Sequence, residues 1–358
     1  MRAALKAARN GIGTTHPNPR VGAVVVRDGK LVGRGWHRFP GGAHAEVAAL
    51  HDAGELAQKS TMVVTLEPCA AMGRTPPCTE ALLAAGVTRV VYGSSDSNPR
   101  MAGGGDWLRS QGVTVVGGVL QAECDALNRP FFHGMARQRP WILVKAATSL
   151  DGKLATAQGD SRWISNPASR HQAHRLRAEA DAVLIGAGTL RADNPQLIPR
   201  QVRRRGANPL RVVISRQLPK FLSDYQLADT AQAPSRIYCQ QAADTDTQQW
   251  LDAGVEVVRY QLLADIFAHL YIDGRLSVMV EGGGQLLGAL WQEKLVDALA
   301  LFQAPLLIGG EDAVSLWGRS PGVARVADAP RLIHLQRRHF GDNTMVYGEV
   351  VYPDSSQN

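Results

Sequence analysis

Residues 41–50 read GGAHAEVAAL, and residues 65–86 read TLEPCAAMGRTPPCTEALLAAG. Residues two apart on a helix point to nearly opposite sides, so His44 and Glu46 cannot serve one site from mid-helix. One of them must stand at the helix mouth. The loop FPGG (39–42) ahead of His44 lets the imidazole turn into a cleft while Glu46 enters it from the first turn. Cys78 follows Pro76-Pro77 and opens the next helix, where proline is tolerated and the positive end of the helix dipole favours a thiolate. Cys69 follows Pro68 at the end of a strand. One imidazole and two thiolates make a neutral three-ligand zinc site with the fourth corner open to water. A closed zinc knot that only staples a domain would need a fourth ligand, and none is evident.

An open zinc site makes hydroxide available near neutral pH by lowering the pKa of its water from about 15.7 to about 7. Glu46 is not needed as a ligand and is placed to carry a proton to a ring nitrogen and then to a leaving amine. That is hydrolytic deamination of an amino-substituted heterocycle. His-x-Glu followed by Pro-Cys and a second Cys is the signature of zinc nucleobase deaminases, although here eight residues separate the cysteines instead of two.

The motif sits in an alternating frame. Apolar runs VGAVVV (21–26), TMVVTL (61–66), RVVYG (89–93) and VTVVG (113–117) predict strands, and RDGK (27–30) predicts an Asp-Gly hairpin turn. HAEVAALHDAGE (44–55) and CTEALLAAG (78–86) predict helices, the second stopped by Gly86. These make an α/β layered domain. The basic, proline-containing MARQRPW (135–141) then gives way to WILVKAAT (141–148), which puts a boundary near residue 138 and divides the chain into 1–138 and 139–358. Beyond it DAVLIG, LRVVIS, SRIYC, VEVVRY and LSVMVEGGG repeat the strand pattern, QLLGALWQE follows as a helix, and a hairpin closes around FGDNTMVYGEVVY. RQVRRRG (200–206) reads as an exposed loop, with a second use as a site for a cofactor 2′-phosphate.

Composition narrows the class. With 358 residues, 45% hydrophobic and 20% charged, the chain is ordinary globular material for two domains. No run of eighteen apolar residues and no signal-peptide pattern is present, so a soluble, cytoplasmic protein is expected. Four cysteines cannot build a disulfide scaffold at this length, and Cys124 and Cys239 are expected to be buried free thiols. A net charge of +7 attracts phosphates of any kind without distinguishing nucleic acid from a metabolite.

HPNPRVGAVVV, HAEVAAL and TLEPC with GRTPPC, together with KAATSLDGKLATAQGDSRWIS, RAEADAVLIGAGTLRADNPQL and VMVEGGGQLLGAL in the second half, resemble the bifunctional riboflavin-biosynthesis deaminase/reductase family. The resemblance implies an α/β fold of two domains, a cytidine-deaminase-like α/β/α layer domain followed by a dihydrofolate-reductase-like α/β domain using NADPH. It implies a diaminopyrimidinone carrying phosphoribosylamine as substrate, deaminated first and then reduced from ribosyl to ribityl. By position it makes His44, Cys69 and Cys78 zinc ligands and Glu46 the acid/base. Asn18 and His37 become pocket residues, and Arg74 a phosphate contact. NADPH would meet Ala147, Trp163, Thr189, Asp193 and the segment Gly283, Gly284, Gln285, Leu286, Leu287, Gly288 and Ala289. Ser161, Arg177, Leu197, Arg200 and Glu281 would hold the substrate, with Lys145 and Asp151 nearby. The family usually has Ser-His where this chain has Ala70-Ala71.

Plainer readings stand beside these roles. Trp163 also fits a core aromatic and Arg177 a solvated helix face. The glycines of VEGGGQLLGAL present N–H groups that suit a phosphate, yet they equally fit a plain turn. Two rival functions are a nucleic-acid adenosine deaminase with a basic accessory domain and a non-enzymatic protein that binds zinc and NADPH. The first predicts salt-sensitive RNA binding, and the chain lacks a recognisable RNA-binding signature. The expected partners are the small phosphorylated substrate and further copies of the chain, with neither nucleic acid nor a membrane.

Overall fold

The computed structural model describes residues 1–72, 76–202, 204 and 206–353. It divides into two compact units, Met1–Gln138 and Arg139–Asn358.

In the first unit the chain runs α1 (Arg2–Ala8), β1 (Gly22–Arg27), β2 (Lys30–Trp36), α2 (Ala45–Ala53), β3 (Thr61–Leu66), α3 (Cys78–Ala84), β4 (Arg89–Ser94), α4 (Gly104–Ser110), β5 (Thr114–Val116), α5 (Gln121–Leu127) and α6 (Arg129–Arg137). The sheet has the order β2-β1-β3-β4-β5. β1 is antiparallel to both neighbours, whereas β3, β4 and β5 are parallel. The predicted hairpin is present: Arg27 pairs with Lys30, and Asp28 and Gly29 both adopt positive φ (50° and 73°), the two-residue turn that matches strand twist. Alternation along the strands splits the core. Ala23, Val25, Met62 and Val64 pack with Ala45, Ala49 and Leu82, whereas Val24 and Val63 pack with Ala4. Helices therefore cover both faces. α2 lies almost flush on β2, because a Cβ at Gly35 would fall 2.3 Å from the carbonyl oxygen of Ala45. That contact sets where the helix begins, and hence where His44 and Glu46 stand.

The second unit runs β6 (Trp141–Thr148), β7 (Lys153–Ala155), α7 (Pro167–Glu179), β8 (Ala182–Gly186), α8 (Ala187–Asp193), β9 (Leu210–Gln217), β10 (Ser235–Gln241), α9 (Asp244–Asp252), β11 (Glu256–Arg259), α10 (Leu263–Ile272), β12 (Ser277–Val280), α11 (Gly284–Gln292), β13 (Ala298–Gln303), β14 (Val314–Ser315), β15 (Arg331–Phe340) and β16 (Asn343–Val351). Nine strands form one sheet in the order β11-β10-β9-β8-β12-β6-β13-β16-β15, and β7 pairs with β14 separately. The seven strands from β11 to β13 are parallel; β16 and β15 close the edge as an antiparallel hairpin. Central strands are buried on both faces. In β8, Ala182 and Leu184 enter one core and Val183 and Ile185 the other, which is why DAVLIG reads as a continuous apolar run.

Arg211 on β9 is fully buried. Its guanidinium donates to the carbonyl oxygens of Gln226 (2.6 Å), Leu227 (3.1 Å), Asp229 (2.8 Å) and Ala233 (2.8 Å), knitting the 226–233 loop to the sheet. Arg211→Leu would leave these carbonyls without their donor. It is expected to cost roughly 3 kcal/mol or more of the unit's stability. A lowered denaturation midpoint at unchanged m-value checks it, and an unchanged midpoint would refute it.

Among the described residues no helix is long and apolar enough to cross a membrane. Cys124 and Cys239 are free and buried.

Candidate active sites

In the first unit His44 is the residue before α2. Its backbone is extended (φ −67°, ψ 160°), and its carbonyl accepts the first helical hydrogen bond from the Ala48 N–H. The imidazole thus leaves the helix axis while Glu46 in the first turn points back, so the two side chains converge. Cys69 lies in the loop after β3 and Cys78 opens α3 behind Pro77. His44 Nδ1 lies 3.0 Å from Cys78 Sγ and 3.5 Å from Cys69 Sγ. The Cys78 backbone N–H donates to Cys69 Sγ at 3.2 Å. The three donor atoms lie within 4.8 Å of one another, and Glu46 is not one of that set. This is the geometry and donor chemistry of a three-ligand zinc site. Without a cation the two sulfurs share one proton: the Cys69 thiol is pulled down to about 4, chiefly by donation from Cys78 and then from His44, whereas Cys78 is driven up by that same pairing and by burial, and a bound cation would be needed to ionise both. Burial pushes the Glu46 carboxyl up to about 7, and it is only 3% exposed. A carboxyl poised there can both take and give a proton near neutrality.

His44, Glu46 and Cys69 open on a cavity of about 150 Å³, lined also by Asn18, His37, Glu67, Asp96, Asn98, Met101 and Phe131. Ligand pockets commonly run from about 300 to 1,000 Å³, so this one falls below the small end of that range. His37 Nδ1 donates to the Ala43 carbonyl (3.2 Å), and Asn18 Nδ2 donates to His37 Nε2 (3.0 Å). That network fixes a neutral imidazole, and burial lowers its pKa further. Asn18 is thereby oriented with its side-chain oxygen left over as an acceptor. The loop carrying it is tied down by Asn128, which accepts from the Arg20 N–H (2.7 Å) and donates to the Arg20 carbonyl (3.0 Å).

Sequence reasoning missed four polar or aromatic lining positions, Glu67, Asp96, Asn98 and Phe131. Glu67 accepts the N–H of Gly105 (2.9 Å) and of Asp96 (3.2 Å), bracing the loop after β4. Asp96 accepts from the Asn98 N–H at 2.9 Å, and burial raises its pKa. The signal for this pair was SSDSNPR directly after a strand, a polar loop at a carboxyl strand end. Arg74 lies outside the described residues.

In the second unit Ala147, Thr189 and Glu281 stand at or just after the carboxyl ends of β6, β8 and β12, where open parallel sheets bind ligands. Lys145 and Ala147 share the less buried face of β6. Glu281 follows β12 and receives a two-pronged hydrogen bond from Arg177 of α7 (2.8 and 2.9 Å). Lys145 Nζ lies 4.0 Å from the same carboxylate. Burial would raise the Glu281 pKa, but Arg177 and Lys145 outweigh it and hold it low; burial lowers that of Lys145 against the pull of Glu281. Arg177 is thus no solvated helix face, being 12% exposed at its side chain. Arg200 is exposed; its backbone N–H meets His174 and its guanidinium donates to Gln196 (3.1 Å).

Thr189 of α8 faces the start of α11, its hydroxyl 3.9 Å from where a Gly283 Cβ would stand. Of the segment 283–289 only the first turn is open: Gly283 and Gln285 are exposed, Leu286 and Ala289 half-buried. Leu287 is wholly in the core. Gly284 and Gly288 are closed off, since a Cβ at either would fall 2.6 Å from the Ser315 carbonyl oxygen and 2.4 Å from that of Trp317. These two glycines serve packing of α11 on the 315–318 segment. Leu197 likewise has its side chain in the core (2% exposed), so only its backbone can meet a ligand. Trp163 is 69% exposed with the Arg170 guanidinium 4.4 Å over its ring, which corrects the core-aromatic reading. Asp193 is paired with Arg162, and Ser161 is half-buried. Asp151 accepts the N–H groups of Ile308 (3.1 Å) and Gly309 (2.8 Å), bracing that loop. In RQVRRRG, Arg204 donates to the carbonyls of Ala178 (2.6 Å) and Ala180 (2.9 Å) and caps α7, which removes it as a 2′-phosphate ligand. Arg203 and Arg205 lie outside the described residues.

Comparison with known proteins follows the same division. Residues 1–94 match the cytidine and deoxycytidylate deaminase zinc-binding region, and residues 140–345 match the RibD C-terminal domain. The chain is 38% identical to the riboflavin biosynthesis protein RibD of Escherichia coli (strain K12), over 97% of each chain. Among solved structures, Acinetobacter baumannii RibD superposes with a TM-score of 0.87 at 34% identity, covering 98% of this chain and 97% of that one. A diaminohydroxyphosphoribosylaminopyrimidine deaminase/5-amino-6-(5-phosphoribosylamino)uracil reductase from Thermotoga maritima superposes with a TM-score of 0.86 at 31% identity, with the same coverage.

Proposed function

This chain belongs to the RibD family of bifunctional deaminase/reductases of riboflavin biosynthesis, and from that premise we propose how its residues divide the work. The protein is both a hydrolase and an oxidoreductase, with a zinc-binding deaminase domain and a reductase domain that implies a nicotinamide cofactor. We assign deamination to residues 1–138 and reduction to residues 139–358. The substrate is 2,5-diamino-6-(5-phosphoribosylamino)pyrimidin-4(3H)-one, the nicotinamide is NADPH, and the compartment is the cytoplasm.

His44, Cys69 and Cys78 would hold zinc, which supplies an activated water as nucleophile at neutral pH. Glu46 carries one proton of the attacking water to the ring nitrogen and then the hydroxyl proton of the adduct to the departing amine, so that the C–N bond breaks, ammonia leaves and a carbonyl remains. Asn18, oriented by His37, and Asp96 supply acceptors for the ring's N–H groups. The small cavity holds the pyrimidine. In the reductase half, Thr189 and the open first turn of α11 would hold NADPH, which would supply the hydride that reduces C1′ of the ribosylamine. The ring oxygen departing from C1′ takes a proton from Lys145, whose buried ammonium gives it up readily. Arg200 and the open first turn of α11 offer donors to the substrate and cofactor phosphates.

One observation supports this reading above the rest: a buried carboxyl beside three convergent zinc donors, at the mouth of a small cavity. Zinc-loaded protein incubated with the diaminopyrimidinone phosphate is expected to release ammonia without NADPH and to oxidise NADPH only afterwards. Absence of both from folded protein would refute it, and NADH serving as well as NADPH would refute the cofactor assignment.

A further inference from the structure

Two hydrogen bonds fasten the segment 197–200 to α7. Arg177 Nη1 donates to the Ile198 carbonyl at 2.9 Å, and His174, one helical turn earlier, meets the Arg200 backbone N–H through Nδ1 at 3.2 Å. Leu197 pins the other end of the segment by burying its side chain. An imidazole nitrogen can receive an N–H only when it carries no proton. The surroundings keep it so: burial, then Arg177 and Arg200, pull the His174 pKa down to about 4, with Lys145 adding to them and Glu281 opposing. A ring that stays neutral at physiological pH can offer Nδ1 as the acceptor, in the tautomer that carries its proton on Nε2.

We infer that His174 is a positioning residue of the reductase, whose unprotonated Nδ1 fixes the backbone from which Arg200 reaches the phosphate of the ribosyl substrate. The inference rests on the functional reading above, which places Arg200 at that phosphate. Loss of His174 frees the Arg200 backbone, so the cost falls on binding of the anion and not on hydride transfer.

The test is steady-state reductase kinetics of the full-length zinc-loaded protein, varying the deaminated phosphoribosylaminouracil and NADPH in turn. Inorganic phosphate serves as a competing anion. His174→Ala is expected to raise KM for the ribosyl phosphate roughly five- to tenfold, the worth of one hydrogen bond, with kcat, KM for NADPH and ammonia release unchanged. Inhibition by phosphate should weaken by the same factor. His174→Asn places an amide oxygen where Nδ1 stood and should return KM to within about twofold of wild type, whereas His174→Gln, one methylene longer, should not. Should the alanine chain fail to fold, the Asn and Gln pair carries the same comparison. An unchanged KM in the alanine variant, equal behaviour of Asn and Gln, or a joint rise of KM for both substrates overturns the inference alone. An Arg200→Ala variant whose KM for the ribosyl phosphate matches wild type, or wild-type protein that reduces the ribosyl chain with no nicotinamide, overturns the reading beneath it as well.

Discussion

Glu46→Gln is expected to retain a full complement of zinc and to slow ammonia release by about 10²–10⁴-fold, the usual worth of a positioned proton carrier. The substitution is nearly isosteric in a group that is 3% exposed, so packing of α2 changes little. Glutamine has no proton to exchange, and the step from attacking water to ring nitrogen loses its carrier. Because Glu46 is not part of the three-donor set, metal content should not follow activity. Reductase turnover on pre-deaminated substrate should match wild type. Metal analysis beside an ammonia assay decides the matter: turnover near wild type removes Glu46 from its role, and loss of zinc with activity makes it a ligand.

Cys78→Ser should weaken zinc binding by at least about 100-fold and take the deaminase with it. Serine is tolerated at a helix start, so α3 should still form. Its hydroxyl, unlike a thiolate, is a poor zinc ligand at neutral pH. Cys78 occupies a central place in the site, since its sulfur lies 3.0 Å from His44 Nδ1 and its backbone N–H supports Cys69. A strong chelator applied to wild-type protein should reproduce the loss, again sparing NADPH oxidation. Stoichiometric zinc in the serine variant would show that the ligand set has been misassigned.

How far the sequence could be read depended on the range of the interaction. The two-residue hairpin at Asp28-Gly29, the strand Thr61–Leu66 and the helix mouth at His44 are governed by neighbours within a few positions, and each is visible in the local pattern. β13 (Ala298–Gln303) was not, because ALALFQ carries no turn signal to bound it. The pairing of Arg177 with Glu281 spans 104 residues and obeys no period, so both looked like independent substrate ligands. Leu197 and Leu287 occupy positions that resemblance associates with ligands, yet their side chains complete the core. Arg204 shows the converse, a residue from an apparently solvated basic run whose donors are spent on helix carbonyls. Glu67 stood in the quoted motif all along. Its bracing of the Asp96 loop became visible only when β3 and β4 lay side by side.

The near-touching of α2 and β2 at Gly35 bears on any attempt to harden this enzyme against heat. Exchanging strand glycines for alanine is a standard route to higher melting temperatures, since it curbs the freedom of the denatured chain. At this position the added methyl would lever the helix outward, carrying the imidazole and the carboxyl with it. Here thermal tolerance and turnover fall together, because the overlap that displaces the two side chains also strains the fold, and a screen for heat resistance would discard Gly35→Ala.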